Sequence, residues 1–168
     1  MSGTLVLLNR QDACRVNSRI LRQITKALLR DVLRLESFEL GIALVSSAEI
    51  ARLNSTFLGH QGETDVITFD YANTVGQAHR DSPQLLCGEI FLCPEEALTQ
   101  AHRFRTTWQS ELTRYLIHGV LHLRGYDDTR PVARRKMKQE EDRLLRRLAR
   151  QFDLRTVGSQ RSRAARFA

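Results

Sequence analysis

Short apolar runs in this chain alternate with stretches in which apolar residues return every third or fourth position. Thr4 to Leu8 predicts a strand, and Asn17 or Ser18 caps a helix whose Ile20, Leu21, Ile24, Leu28 and Leu29 recur at helical spacing. Phe38 to Val45 predicts a second strand. Ser46-Ser-Ala-Glu49 fits a capping box for a short helix ending near Asn54, and Phe57 to Glu63, with Gly59 and Gly62, reads as a loop. Asp65 to Tyr71 and Glu89 to Cys93 follow as strands, separated by a polar connection around Asn73 to Pro83. Pro94-Glu95-Glu96 opens a helix with acids at the positive end of its dipole. After a turn at Arg105 to Thr107, Thr107 caps a helix carrying Glu111, Leu112 and Leu116. Pro131 opens a last long helix, through about Phe152, with Val132, Met137, Leu144, Leu145 and Leu148 on its core face. Strands and helices in this order, with helices gathered at the end, predict an α+β fold: a small, mostly four-stranded mixed sheet packed with about five helices.

Composition narrows the organisation. With 168 residues, 42% of them hydrophobic, the chain has material for one core. The domain is expected over residues 1–154, followed by a basic, disordered arm over 155–168. The apolar run near the start has no basic leader, and no stretch approaches the ~20 apolar residues of a membrane span, so a cytoplasmic protein with no membrane partner is expected. Cys14, Cys87 and Cys93 are odd in number and lack metal-finger spacing, which points to reduced structural cysteines; Cys87 and Cys93 are expected on one face of a strand. The net charge of +7 is unevenly placed. Residues 129–168 hold 13 Lys/Arg against 4 Asp/Glu, whereas residues 1–128 hold 13 against 15. A basic block of this kind is the footprint of a nucleic-acid partner, although arginines that merely solvate a helix face give the same composition.

The chemistry is concentrated in His118-Gly-Val-Leu-His122-Leu-Arg-Gly125-Tyr-Asp127-Asp128. Histidines at i and i+4 share a helix face and can point both imidazoles at one ion. Gly125 follows where a helix commonly ends in a left-handed turn, which would bring Asp127 or Asp128 back to the same ion. Two nitrogens, one oxygen and a free position describe a catalytic zinc site better than a structural one, with the acidified water of such a site pointing to hydrolysis. Zinc peptidases of the His-Glu-x-x-His type carry a glutamate base where this chain has Gly119, so a peptidase would need its base from elsewhere. Glu111, seven residues before His118 on the same face, is a candidate to accept a hydrogen bond from an imidazole N–H.

The same run, with Leu53-Asn54, Thr64-Asp65-Val66-Ile67-Thr68-Phe69 and Gly88-Glu89-Ile90 upstream, resembles the YbeY family of bacterial rRNA maturation factors over most of the chain. The resemblance implies a zincin-like metal helix in a single-domain endoribonuclease that uses one zinc per chain and cuts single-stranded RNA. It implies action in 3′-end maturation of small-subunit (16S) rRNA and in ribosome quality control. It also implies as partners the small ribosomal subunit, one of its proteins and a ribosome-associated GTPase.

It assigns the ligands as His118, His122 and Asp128, where Asp128 stands at the position of the family's usual third histidine. These three would be catalytic through the metal's water. Thr64-Asp65 would form part of a cleft beside the metal, making Asp65 a substrate-binding candidate.

A second departure falls at Leu58, where the family typically has an arginine suited to the scissile phosphate. His60, Arg124 and Arg103 are the candidate replacements, and His60 or Glu89 the candidate bases for the attacking water. Leu58 also favours an alternative: a non-catalytic rRNA-binding assembly factor in which zinc only holds the last helices together.

Overall fold

Phe38, Leu40, Ile42 and Leu44 alternate with Glu39 and Gly41 along the strand Ser37–Leu44 (β3), and the alternation sends the first set into the core. In the computed structural model, which describes residues 2–59, 64–72 and 85–160, β3 lies second in a four-stranded sheet. Its parallel neighbours are Ser2–Asn9 (β1) and Leu85–Leu92 (β5), in register through Leu5↔Leu40 and Leu40↔Gly88. The strand Val66–Asp70 (β4) closes the order β1-β3-β5-β4, antiparallel to β5. The sheet is mixed and the class α+β, as the pattern predicts.

The first helix, Ser18–Lys26 (α1), is capped by the Asn17 side chain accepting from Ile20 N–H. It continues as a π-helical turn over Ala27–Val32, with Leu33 N–H bonded to Leu28 C=O at 2.9 Å, five residues back. That wider turn places Ala27, Leu28, Leu29 and Val32 together in the core.

The second helix, Ser47–Leu58 (α2), is capped by Ser46 as expected but runs four residues past Asn54. Phe57 and Leu58 are therefore helical rather than part of a loop. Phe57 packs edge-on against Phe69 at 5.5 Å, and Gly59, at φ +66°, supplies the left-handed stop. With Ala43, Val45, Ile50, Ile67 and Cys93, α2 builds a smaller apolar cluster.

Pro94–Phe104 (α3), Trp108–Leu123 (α4) and Pro131–Gln151 (α5) complete the helices, and α4 packs against β4 and β5 in the main core. Gly119 lets it do so, because a Cβ there would stand 2.8 Å from Ile90 Cγ2. The fifth strand begins four residues before the expected Glu89, since Leu86 also points into the core. Cys93 lies just past that strand as the N-cap of α3; it, Cys87 and Cys14 are buried and form no disulfide.

The expected boundary at residue 154 needs correction. Leu154–Val157 forms a 3₁₀ turn whose Leu154 and Val157 are buried, and Gly158–Gln160 (β6) pairs antiparallel with Cys14–Val16 (β2). Asn17 N–H also bonds Val157 C=O at 2.7 Å. Residues 155–160 are thus held by apolar burial and backbone pairing, and the part of the expected arm that remains, residues 161–168, lies outside the described residues. Among the described residues no helix is long and apolar enough to cross a membrane.

Candidate metal centre

Thr107 caps α4 by accepting from Ser110 N–H, and the helix then carries His118 and His122 one turn apart on the side facing β4. Its end is a Schellman turn. Gly125 N–H bonds His122 C=O at 2.9 Å, Tyr126 N–H bonds Leu121 C=O at 3.0 Å, and Gly125 takes φ +88°. The reversal carries Asp128 back over the histidines.

Nε2 of His118 lies 3.0 Å from Nε2 of His122, and Oδ2 of Asp128 lies 3.5 Å from each. Four ligands at zinc–nitrogen or zinc–oxygen distances in a tetrahedron stand about 3.3–3.5 Å apart, so these atoms trace one face of such a tetrahedron. They are the one His/Cys/Asp/Glu group of metal-binding geometry among the described residues.

The other ring nitrogens explain the orientation. His118 Nδ1 is 2.9 Å from Glu141 Oε2, and His122 Nδ1 is 3.1 Å from the Tyr126 carbonyl. Both partners are acceptors, so each Nδ1 carries a proton, and a ring in its neutral form turns a lone pair on Nε2 toward its neighbour. Two lone pairs 3.0 Å apart repel unless a cation or proton lies between them, and the donor set therefore fits a metal ion. Burial opposes a charge on His118, but the hydrogen bond and charge of Glu141, then the charges of Asp65 and Asp128, outweigh it and lift its pKa above the usual imidazole value.

The rival acid is placed differently. Asp127 Oδ1 accepts from Thr129 N–H at 2.9 Å and from its hydroxyl at 2.8 Å, an Asx turn that occupies the carboxylate. The same bonds hold the Asp127 pKa below the ordinary carboxylate range.

Glu111 does not reach an imidazole. Seven residues is about 10 Å along a helix, and Glu111 instead accepts from the Thr106 hydroxyl at 2.7 Å in the first turn of α4. The residue at His118 is Glu141, from α5, which also binds Arg114 Nη1 at 3.1 Å while Asp142 binds the same nitrogen at 2.6 Å. A second unforeseen residue is Arg134, whose Nε donates to the Asp128 carbonyl at 2.9 Å. The only local signal for Glu141 was an acidic run, Glu140-Glu141-Asp142, inside a basic helix, and Arg134 had none.

A cleft of about 290 Å³ opens in front of the histidines, lined by Leu58, Thr64 to Thr68, His118, His122 and Asp128. Asp65 is thus beside the metal group, and its Oδ1 also accepts from Val66 N–H at 2.9 Å. No Lys or Arg is among the described lining residues. Arg124 lines a separate depression with Arg34 and Asp70, and Arg103 lies against Phe104 on α3. Neither takes the place left by Leu58. His60 lies outside the described residues. Glu89 is no base for this cleft: it projects from the sheet's open face and accepts from the Tyr71 hydroxyl at 2.8 Å. The Gly119 position, pressed onto Ile90, has no room for a peptidase-type glutamate.

The family model described as endoribonuclease YbeY matches residues 7–149. An endoribonuclease YbeY of Chlorobium phaeovibrioides is 37% identical over 132 residues, covering 74% of this chain and 83% of that protein. The Chlorobaculum tepidum endoribonuclease YbeY is 37% identical over 134 residues, covering 76% of this chain and 91% of its own length. A solution structure of a Thermotoga maritima protein shares the fold, with TM-score 0.58 at 24% identity over 86% of this chain and 89% of that one. With most of its length matched in both sequence and fold, the chain belongs to the endoribonuclease YbeY family, hydrolases that cut RNA.

Proposed function

We propose that this chain is a zinc-dependent, single-strand-specific endoribonuclease acting in maturation of the 3′ end of small-subunit (16S) rRNA and in ribosome quality control, with His118, His122 and Asp128 as the zinc ligands. The observation that carries the reading is the triangle of Nε2, Nε2 and Oδ2 atoms at 3.0, 3.5 and 3.5 Å, open on its fourth side to the cleft. Zinc held there supplies Lewis acidity toward a phosphodiester and a water acidic enough to attack near neutral pH.

The chain's own residues do the positioning. Glu141 and the Tyr126 carbonyl fix both imidazoles with Nε2 toward the cleft. Arg134 ties down the backbone of Asp128, and the Thr129 bonds to Asp127 hold the turn that presents it. Asp65 and Asp128 bring two carboxylates to the cleft, so a phosphodiester enters readily only where cationic charge offsets them. The small ribosomal subunit, one of its proteins and a ribosome-associated GTPase are the partners that go with this role.

One observation favours a second reading. Leu58 lines the cleft where the family typically has an arginine, and no described Lys or Arg replaces it there. An assembly factor that binds pre-rRNA and keeps zinc as a staple between α4 and α5 would tolerate that loss. The deciding experiment measures zinc content and cleavage of precursor small-subunit rRNA, with and without chelator, using His118→Ala against contaminating nuclease. About one zinc per chain, with cleavage lost on chelation and in the variant, is expected; zinc without cleavage above the variant selects the assembly factor. Asp128→Ala is expected to lose the metal and Asp128→His to keep it, whereas full zinc in Asp128→Ala would give the ligand role to Asp127.

A further inference from the structure

Helix α5 has two faces. Met137, Glu141, Leu144, Leu145 and Leu148 are buried. At about 100° per residue the opposite side carries Lys136, Arg143, Arg146, Arg147 and Arg150, all exposed.

The acids of this helix are already engaged. Arg143 grips Glu140 through two bonds of 2.8 and 2.6 Å, and Arg114 of α4 takes Glu141 and Asp142. Arg146, Arg147 and Arg150 are left with no acidic partner among the described residues, and with Arg143 they alone line a surface depression of about 250 Å³. Like charges three and four residues apart on one helix repel, so the arrangement works against the helix until an anion sits among them.

We propose that this outward face of α5, centred on Arg143, Arg146, Arg147 and Arg150, is a docking track for the sugar–phosphate backbone of single-stranded RNA, separate from the metal cleft. The inference rests on the reading that the chain acts on RNA. Arginine forks match phosphate oxygens two at a time, and the span from Arg143 to Arg150, about 10 Å along the axis, accommodates successive phosphates. Among the described residues the depression is lined by arginines alone, with no aromatic ring for a base to stack on and no side-chain acceptor, so the track grips backbone and reads no sequence. It lies across the helix from Glu141, the residue that touches His118, and a helix about 10–12 Å thick therefore separates it from the cleft. One strand can hold the track while a linkage several nucleotides along the same strand enters the cleft.

The test is fluorescence anisotropy with a labelled single-stranded RNA of mixed sequence, across a salt series, in the full-length chain carrying His118→Ala so that binding is read whether or not the cleft cuts. Arg146→Gln/Arg147→Gln/Arg150→Gln should weaken binding about tenfold and lower the slope of log affinity against log salt by about 2, from three contacts at roughly 0.7 each. These side chains are exposed and glutamine is a good helix former, so an unchanged thermal melt checks the fold. The charge-matched control Arg15→Gln/Arg19→Gln/Lys26→Gln, on exposed positions near α1, should move the slope far less. Unchanged affinity and slope in the α5 variant, or an equal loss in the control, would overturn the track. Cleavage by the unmodified chain is scored separately, so a chain that binds through α5 but does not cut sinks the nuclease reading alone.

Discussion

Replacing Glu141 by glutamine removes one negative charge from a buried position while keeping the side chain's shape. Glu141 Oε2 takes the His118 Nδ1 proton at 2.9 Å, and its Oε1 meets Arg114 at 3.1 Å. Glutamine has a single acceptor oxygen, so it can serve His118 or Arg114 but not both, and its amide hydrogens face a donor on the side it abandons. Loss of such an outer partner of a metal-binding histidine typically weakens metal affinity 10- to 100-fold, about 1.4 to 2.7 kcal/mol. The measurement is a zinc competition titration against a chromophoric chelator. Stability must be separated from ligation, because the same carboxylate ties α5 to α4. Asp142→Ala provides that separation: it removes the 2.6 Å bond to Arg114 yet leaves Glu141 on His118, so it should lower the denaturation midpoint with less than a threefold change in zinc affinity. A folded Glu141→Gln protein that binds zinc within threefold of the unmodified chain would refute the role given to Glu141.

Three further outcomes follow from the packing and the cleft. Gly119→Leu should destabilise the fold by about 1–3 kcal/mol in urea, because Ile90 and Thr68 already stand where its side chain must go; Ile90→Ala should recover part of the loss, and a wild-type midpoint for the single variant would show α4 has slack. Removal of residues 161–168 should leave the thermal midpoint unchanged and flatten the salt dependence of RNA binding, whereas removal from Val157 onward should destabilise by at least ~1.5 kcal/mol, since Val157 is fully buried; equal midpoints would mean the β2–β6 pairing contributes nothing. Leu58→Arg places a guanidinium at the cleft rim, where Leu58 is 46% exposed, and should raise kcat/KM on RNA about 10- to 100-fold, as for a charge-assisted bond to phosphate; no gain would show that the missing arginine does not limit this chain.

Local spacing carried the candidate metal group. His118 and His122 are one helical turn apart, Gly125 ends the helix where it should, and the three residues to Asp128 lie within a single turn of chain, so short-range geometry decides them all. The same holds for the caps at Asn17, Ser46 and Thr107, each of which bonds an N–H three residues ahead. Between Asp127 and Asp128 the sequence offered a choice, which the structure expresses through Thr129: its backbone and hydroxyl bonds occupy Asp127 and leave Asp128 to face the histidines.

What could not be read depends on contacts between distant segments. Glu141 lies 23 residues from His118, and nothing in its neighbourhood on α5 distinguishes it from Glu140 or Asp142 until the helix is laid against α4. Glu111 looked equivalent because it shares a helical face with His118, but two residues on one face are close only within about a turn. The end of the domain failed for a related reason: Leu154 and Val157 are two apolar residues in a polar, basic tail, too sparse for a periodic signal, and their burial is created by the surface that waits for them. Gly119 joins both kinds of information. As a departure from the peptidase pattern it excluded a base at that position; as a packed residue it explains the exclusion, since the closeness of α4 to Ile90 that sets the histidines over β4 is the same closeness that leaves no space for a side chain.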